Sequence, residues 1–164
     1  MIVPAQTHVA TAHAVEYTGA KPIFADVDPV TANIRVSELD RLCSNRTKGV
    51  IPVHMAGLPC DLEEIAQFCN KQDLVLIEDC AHAVGTFHNL KHVGTLGDTG
   101  CFSFYPTKNI TTAEGGMIIT NSKKIAVKVR QLRNHGMSKS LKSRYSSGYP
   151  WVFDITEPGY NYRL

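Results

Sequence analysis

The sequence predicts an α/β domain built on a largely parallel sheet, and three observations carry that prediction. Apolar, strand-like runs alternate with helical segments, the order that yields parallel strands joined by crossover helices. The run Leu74–Ile77 is uniformly apolar, as a strand buried on both faces would be. Finally, His54, Asp79 and the loop 104–109 each follow an apolar run, at strand ends where open α/β sheets hold their ligands.

The elements follow in order. Ile2–Pro4 is a short apolar strand, and Gln6–Ala14 reads as a loop entering a helix of small residues. Lys21–Asp28 is the next strand, with Gly19 as the preceding helix stop and Pro29 in the turn after it. Ser37 is the expected N-cap of SELDRLC, whose Glu38 and Asp40 suit the first turn of a helix. Gly49–His54 is a strand that Pro52 interrupts near its end. Leu62, Ile65, Ala66 and Cys69 share one face of a helix over Leu62–Lys71. After Asp79 come a small-residue segment and the glycines Gly94, Gly97 and Gly100. Cys101–Phe104 and Gly116–Thr120 are two further strands. A helix is expected over Ser122–His135, with Ile125, Val129 and Leu132 facing inward. Beyond Gly136 the chain turns polar and loop-like, with Gly148, Pro150, Pro158 and Gly159.

With 164 residues, 43% of them hydrophobic and 20% charged, the composition is that of an ordinary soluble domain with a real core. A net charge of +2 is too small to argue for nucleic acid or an anionic membrane as partner, and neither is expected. The late basic residues Lys123, Lys124, Lys128, Arg130 and Arg133 read as a solvated helix face. No apolar run reaches the roughly 18–20 residues of a membrane helix, and the N-terminus has no signal-peptide pattern. Five scattered cysteines without a CxxC pair read as reduced thiols of a cytoplasmic protein, several buried as small hydrophobes. Both ends look cut, as in a piece of something larger.

Asp79 and Lys108 dominate the candidate chemistry. A carboxylate and an amine at neighbouring strand ends are what a pyridoxal phosphate (PLP) site requires. There, a lysine forms the Schiff base and moves the proton, and an acid keeps the pyridine nitrogen protonated. Lys108 and Asp79 are the candidates for these roles, and Ser103 and Thr107 are candidate phosphate donors. Each also has a plainer reading: Lys108 as a solvated turn lysine, Asp79 as a cap for the AHAVG segment. His82, His88 and His92 are possible metal ligands but match no common ligand spacing, so no metal site is expected. Gly94, Gly97 and Gly100 are spaced GxxGxxG rather than GxGxxG. There is no GxxxxGK[ST] loop and no GxSxG elbow.

The segments THVATAHAV, GAKPIFADVDP, RTKGVIPVH, LVLIEDCAHAVG, GDTGCFSFYPTKNITTAEGGMIIT, LRNHG and GYNYRL together resemble the DegT/DnrJ/EryC1/StrS family, in order and over nearly the whole chain. The resemblance implies a PLP-dependent aminotransferase of nucleotide-linked keto sugars, acting in amino-sugar and polysaccharide biosynthesis, with glutamate as the expected amino donor. It also implies the aspartate aminotransferase (type I) fold, of which this chain would be a partial large domain, a mostly parallel sheet flanked by helices. By that resemblance Lys108 is the Schiff-base lysine, Asp79 pairs with the pyridine nitrogen and His82 bonds the ring hydroxyl. Ala81 packs on one ring face, and His8 stands on the other, where the family usually has an aromatic residue. Ser103 holds the phosphate, and Asn161 reaches the phosphate of the neighbouring subunit, which makes the site a property of a homodimer. Lysine at 108, where some relatives carry histidine and dehydrate, favours transamination. The ending YPWVFDITEPGYNYRL is similar to members that aminate C4 of the sugar. The family's N-terminal phosphate loop and C-terminal small domain are missing, so residues 1–164 are expected to be a single incomplete PLP-binding large domain. The alternative is a non-catalytic remnant that folds or associates without PLP chemistry.

Overall fold

Six strands order themselves around the apolar runs. In the computed structural model, which describes residues 1–138, 141–146, 149 and 151–162, these are β1 (Ile2–Pro4), β2 (Ile23–Ala25), β3 (Gly49–Val50), β4 (Val75–Asp79), β7 (Thr99–Ser103) and β8 (Gly116–Ile119). They form one sheet in the order β2-β1-β3-β4-β7-β8. All neighbours are parallel except the antiparallel pair β7–β8. Between β4 and β7 a small hairpin of β5 (Phe87–His88) and β6 (Lys91–His92) stands apart from the sheet. The chain divides into two compact units, Met1–Asn121 and Ser122–Leu164. The sheet lies wholly in the first.

Alternation along the strands builds a core on each face of the sheet. Ile2, Ala25, Val50 and Leu76 pack with Leu39 of α2 (Ser37–Leu42) and with Ile65, Phe68 and Cys69 of α3 (Leu62–Lys71). Their neighbours Val3, Ile51 and Ile77 turn the other way and pack with Val15 of α1 (Val9–Glu16). A third cluster, Leu62, Cys80, Ala83, Val93 and Phe102, fills the space beneath the ends of β4 and β7. The helices therefore flank the sheet, as a parallel sheet requires.

The structure alters three details of the sequence reading. Ser37 is inside α2, whose N-cap is Val36 with no side-chain cap bond. Leu74–Ile77 is not buried throughout: the strand runs Val75–Asp79 and its first residue is exposed, so burial on both faces begins only at Leu76. No helix follows Asp79 for it to cap; residues 80–85 are turns. Pro52 does interrupt β3 as expected, and pairing resumes beyond it, with Asp79 N–H donating to Pro52 O (2.9 Å) and His54 N–H to Asp79 O (3.1 Å).

In the second unit α4 (Lys123–Leu132) begins at Ser122, whose hydroxyl accepts from Ile125 N–H. Its Ile125, Val129 and Leu132 are half-buried, while Lys123, Lys124, Lys128, Arg130 and the following Arg133 are exposed, the solvated basic face the sequence suggests. A short α5 (Leu141–Ser146) follows. Gly148, Pro150, Arg163 and Leu164 lie outside the described residues. Among the described residues no helix is long and apolar enough to cross a membrane.

Candidate active site

Asp79 is the last residue of β4 and points to the α1 side of the sheet, the face that Ile77 shares. Its carboxylate is held from two directions. Thr11 Oγ donates to Oδ2 (2.8 Å) and Ala81 N–H donates to Oδ1 (3.1 Å). Thr11 is buried in α1, one turn from Thr7, whose hydroxyl lies 2.8 Å from its own. A hydroxyl has one proton. Thr11 spends its proton on a carboxylate that can only accept, so Thr7 must be the donor in the Thr7–Thr11 bond. The result is a directed chain, Thr7 to Thr11 to Asp79. The sequence reading missed Thr7 and Thr11; the signal was two threonines at helical spacing in a small-residue segment entered from a strand end.

Register carries the site across to β7. Asp79 pairs with Cys101 in parallel, so Cys101 and, two residues on, Ser103 share its face. Ser103 Oγ accepts from Tyr105 N–H (3.3 Å), which leaves its own proton to give. Lys108 lies in the following loop, where its backbone N–H bonds Tyr105 O (3.0 Å). Its side chain is half-buried and makes no hydrogen bond or ion pair among the described residues. Thr107 is exposed in the same loop.

The other predicted residues are distributed as follows. Ala81 and His82 form the turn directly after Asp79, both half-buried. His8 caps α1, its Nδ1 accepting from Ala10 N–H (3.2 Å), and its ring is exposed. Asn161 belongs to the second unit, where it bridges Asn134. Of the three histidines weighed as metal ligands, His92 is committed to backbone: Nε2 accepts from Gly85 N–H and Nδ1 donates to Val93 O (2.6 Å).

On the opposite face from Asp79 the sequence reading overlooked a buried carboxylate. Glu78 is 0% exposed. Its Oε1 accepts from Leu96 N–H (2.9 Å) and Gly97 N–H (2.7 Å), and its Oε2 from Gly94 N–H (2.6 Å). His54, equally buried, places Nε2 3.3 Å from Oε2, while its Nδ1 accepts from Cys60 N–H (3.1 Å). That pattern assigns the ring proton to Nε2, which donates to Glu78. Burial pushes the Glu78 carboxyl up, but His54 and the amides of Gly94 and Gly97 outweigh it and hold the group below its ordinary value. The local signal for it is the IED triplet that ends β4.

His54, Glu78 and Cys80 are also the one group of histidine, cysteine and carboxylate atoms close enough for a metal among the described residues. Both nitrogens of His54 and both oxygens of Glu78 are already committed to protein hydrogen bonds. Burial pushes the Cys80 thiol up, away from the thiolate a metal needs. Burial likewise raises Cys60 to about 12 and Cys69 and Cys101 to about 11. These thiols pack as small hydrophobes.

A family model described as the DegT/DnrJ/EryC1/StrS aminotransferase family matches residues 1–164. The chain is 42% identical over 158 residues to the spore coat polysaccharide biosynthesis protein SpsC of Bacillus subtilis, covering 96% of this chain and 41% of that protein. It is 40% identical over 164 residues to GDP-perosamine synthase of Escherichia coli O157:H7, covering 100% of this chain and 42% of that one. The structure superposes on Helicobacter pylori PseC, an aminotransferase involved in pseudoaminic acid biosynthesis, with a TM-score of 0.90 at 32% identity, over 99% of this chain and 42% of that chain. The chain thus spans about two fifths of the length of these relatives. With the family's motifs in order along a mostly parallel sheet of the type I aminotransferase fold, this chain belongs to the DegT/DnrJ/EryC1/StrS aminotransferase family.

Proposed function

We propose that this chain carries the cofactor-binding centre of a PLP-dependent aminotransferase that acts on nucleotide-linked keto sugars, with glutamate as amino donor. The observation that carries the reading is Asp79, a carboxylate fixed by Thr11 and Ala81 on the sheet face it shares with Ser103, with Lys108 unpaired in the next loop. The donor set fits the cofactor. Each Asp79 oxygen accepts one bond and keeps a lone pair free, Ser103 has a proton to give, and the amine of Lys108 is uncommitted.

PLP, when bound, supplies the electron sink that lets an amino group pass between donor and keto sugar. The chain's own residues do the rest. Asp79 holds the proton on the pyridine nitrogen, and its charge stabilises that proton in a site partly shielded from water. Lys108 Nζ would anchor the cofactor, and the same amine is the group placed to take and return a proton. Ser103 donates to the phosphate, His82 bonds the ring hydroxyl, and Ala81 and the His8 ring bound the two faces. Asn161 serves the phosphate of a neighbouring subunit, so the working form is a homodimer. Residues 1–164 act as the central part of the large domain, in a cytoplasmic enzyme of amino-sugar and polysaccharide biosynthesis. The likeness to GDP-perosamine synthase supports a nucleotide-linked sugar, and the likeness to SpsC supports a place in polysaccharide biosynthesis.

The test is the visible spectrum of the purified chain mixed with PLP, before and after borohydride. A yellow adduct trapped by reduction onto Lys108 is expected, and Lys108→Ala abolishes it. An adduct retained in Lys108→Ala overturns the lysine's role. A folded wild-type chain that forms none overturns PLP binding by this chain and leaves the non-catalytic reading.

A further inference from the structure

Glu78 is a carboxylate held ionised in the interior, which costs folding free energy unless every lone pair is used. Its partners are not spread at random. The three amides belong to residues 94–97, the turn that feeds β7, and His54 stands past Pro52 where the pairing of β3 with β4 resumes, its own N–H bonding Asp79 O. One carboxylate therefore ties together β3, β4 and the approach to the strand that leads to Ser103 and Lys108. It does so one residue before Asp79, from the opposite face. The turn is built for close contact: Gly94 takes φ +86°, and a Cβ on Gly100 would stand 2.3 Å from Gly94 Cα.

We propose that Glu78 and His54 are positioning residues, a buried clamp that fixes the Asp79 carboxylate relative to β7 and the Lys108 loop. The clamp works through Asp79 and touches no substrate. Its catalytic consequence rests on the PLP reading above, but the clamp itself is a property of the cofactor-free chain.

Glu78→Gln is the direct probe. Whichever way the amide turns, its NH2 faces donors: Gly94 and His54 on one side, Leu96 and Gly97 on the other. In the cofactor-free chain, amide exchange at Gly94, Leu96 and Gly97 is expected to quicken about tenfold or more, the scale of one charge-assisted bond lost. The carboxyl ¹³C resonance of Asp79 is expected to move with it. With PLP, the visible band is expected to shift in wavelength and weaken, in the direction given by Asp79→Asn. Faster exchange with an unmoved Asp79 resonance and a wild-type PLP spectrum would make Glu78 a stabilising residue only and overturn the proposal. If the wild-type chain forms no PLP adduct, the PLP reading falls and the Asp79 resonance alone decides the clamp. If Glu78→Gln does not fold, His54→Gln keeps all three amide bonds. A smaller movement of the Asp79 resonance in that variant supports the clamp, and an unmoved resonance overturns it.

Discussion

Thr11 shows how much one hydroxyl can do at this edge of the sheet. It is 5% exposed and its only proton goes to Asp79 Oδ2 at 2.8 Å, so the bond is charge-assisted and shielded from water, conditions under which a hydrogen bond contributes about 1.5–3 kcal/mol. Thr11→Val keeps the shape and deletes the donor. We expect it to lower unfolding free energy at neutral pH by about 1–2 kcal/mol. In a double-mutant cycle with Asp79→Asn most of that loss should vanish, because the donor then faces no charge. Urea unfolding of the wild type, the two single variants and the double variant gives the coupling energy directly. A coupling near zero would mean that the carboxylate is oriented by Ala81 N–H alone. Asp79 was legible as a strand-end carboxylate because a charged residue closing an apolar run is a local pattern. Thr11 was not, because its partner lies 68 positions away and only the parallel register brings α1 over the end of β4.

At the scale of elements, the glycines before and inside β7 turn from punctuation into geometry. The spacing of Gly94, Gly97 and Gly100 matched no nucleotide loop, and the structure gives the reason for the residues themselves. Gly94 occupies a left-handed φ of +86°, and Gly100, inside β7, lets the turn lie against the strand, with Gly94 O 2.6 Å from where a Cβ would stand. Since the obstacle is backbone, no rotamer change relieves it. Gly100→Ala should therefore cost about 2–3 kcal/mol, at the upper end of overpacking, and should loosen the amides of residues 94–97 that Glu78 holds. Thermal unfolding and amide exchange check this, and a variant as stable as the wild type would show that the turn can shift without loss. Strand and helix positions were readable because their periodicities are local. Boundaries failed where a tertiary partner decided them. β4 runs on to Asp79 because Val53 and Cys101 offer backbone partners there. α2 begins without a side-chain cap bond, and its Leu39 is packed into the core.

For the first unit as a whole, the buried carboxylate makes stability depend on pH in a direction that can be worked out. Glu78 is held below its ordinary value near 4.5 in the folded chain and returns to about that value when unfolded. A group depressed on folding binds fewer protons in the native state, so acid favours the unfolded chain. The stability that Glu78 contributes is fully present above about pH 4.5 and is lost progressively as pH falls through the lower folded value. Because one carboxylate links β3, β4 and the turn before β7, its protonation should release that region together. Urea unfolding at steps between pH 7 and pH 3 should show a steeper loss in the wild type than in Glu78→Gln. The variant, less stable at neutral pH, has nothing to protonate at this position, so the two curves should converge in acid. Asp28 also titrates low, held down by the amides of Thr31 and Val30, but it is retained in both proteins and cancels from the difference. Parallel curves down to pH 3 would mean that the Glu78 carboxylate is no more stable ionised in the fold than in water.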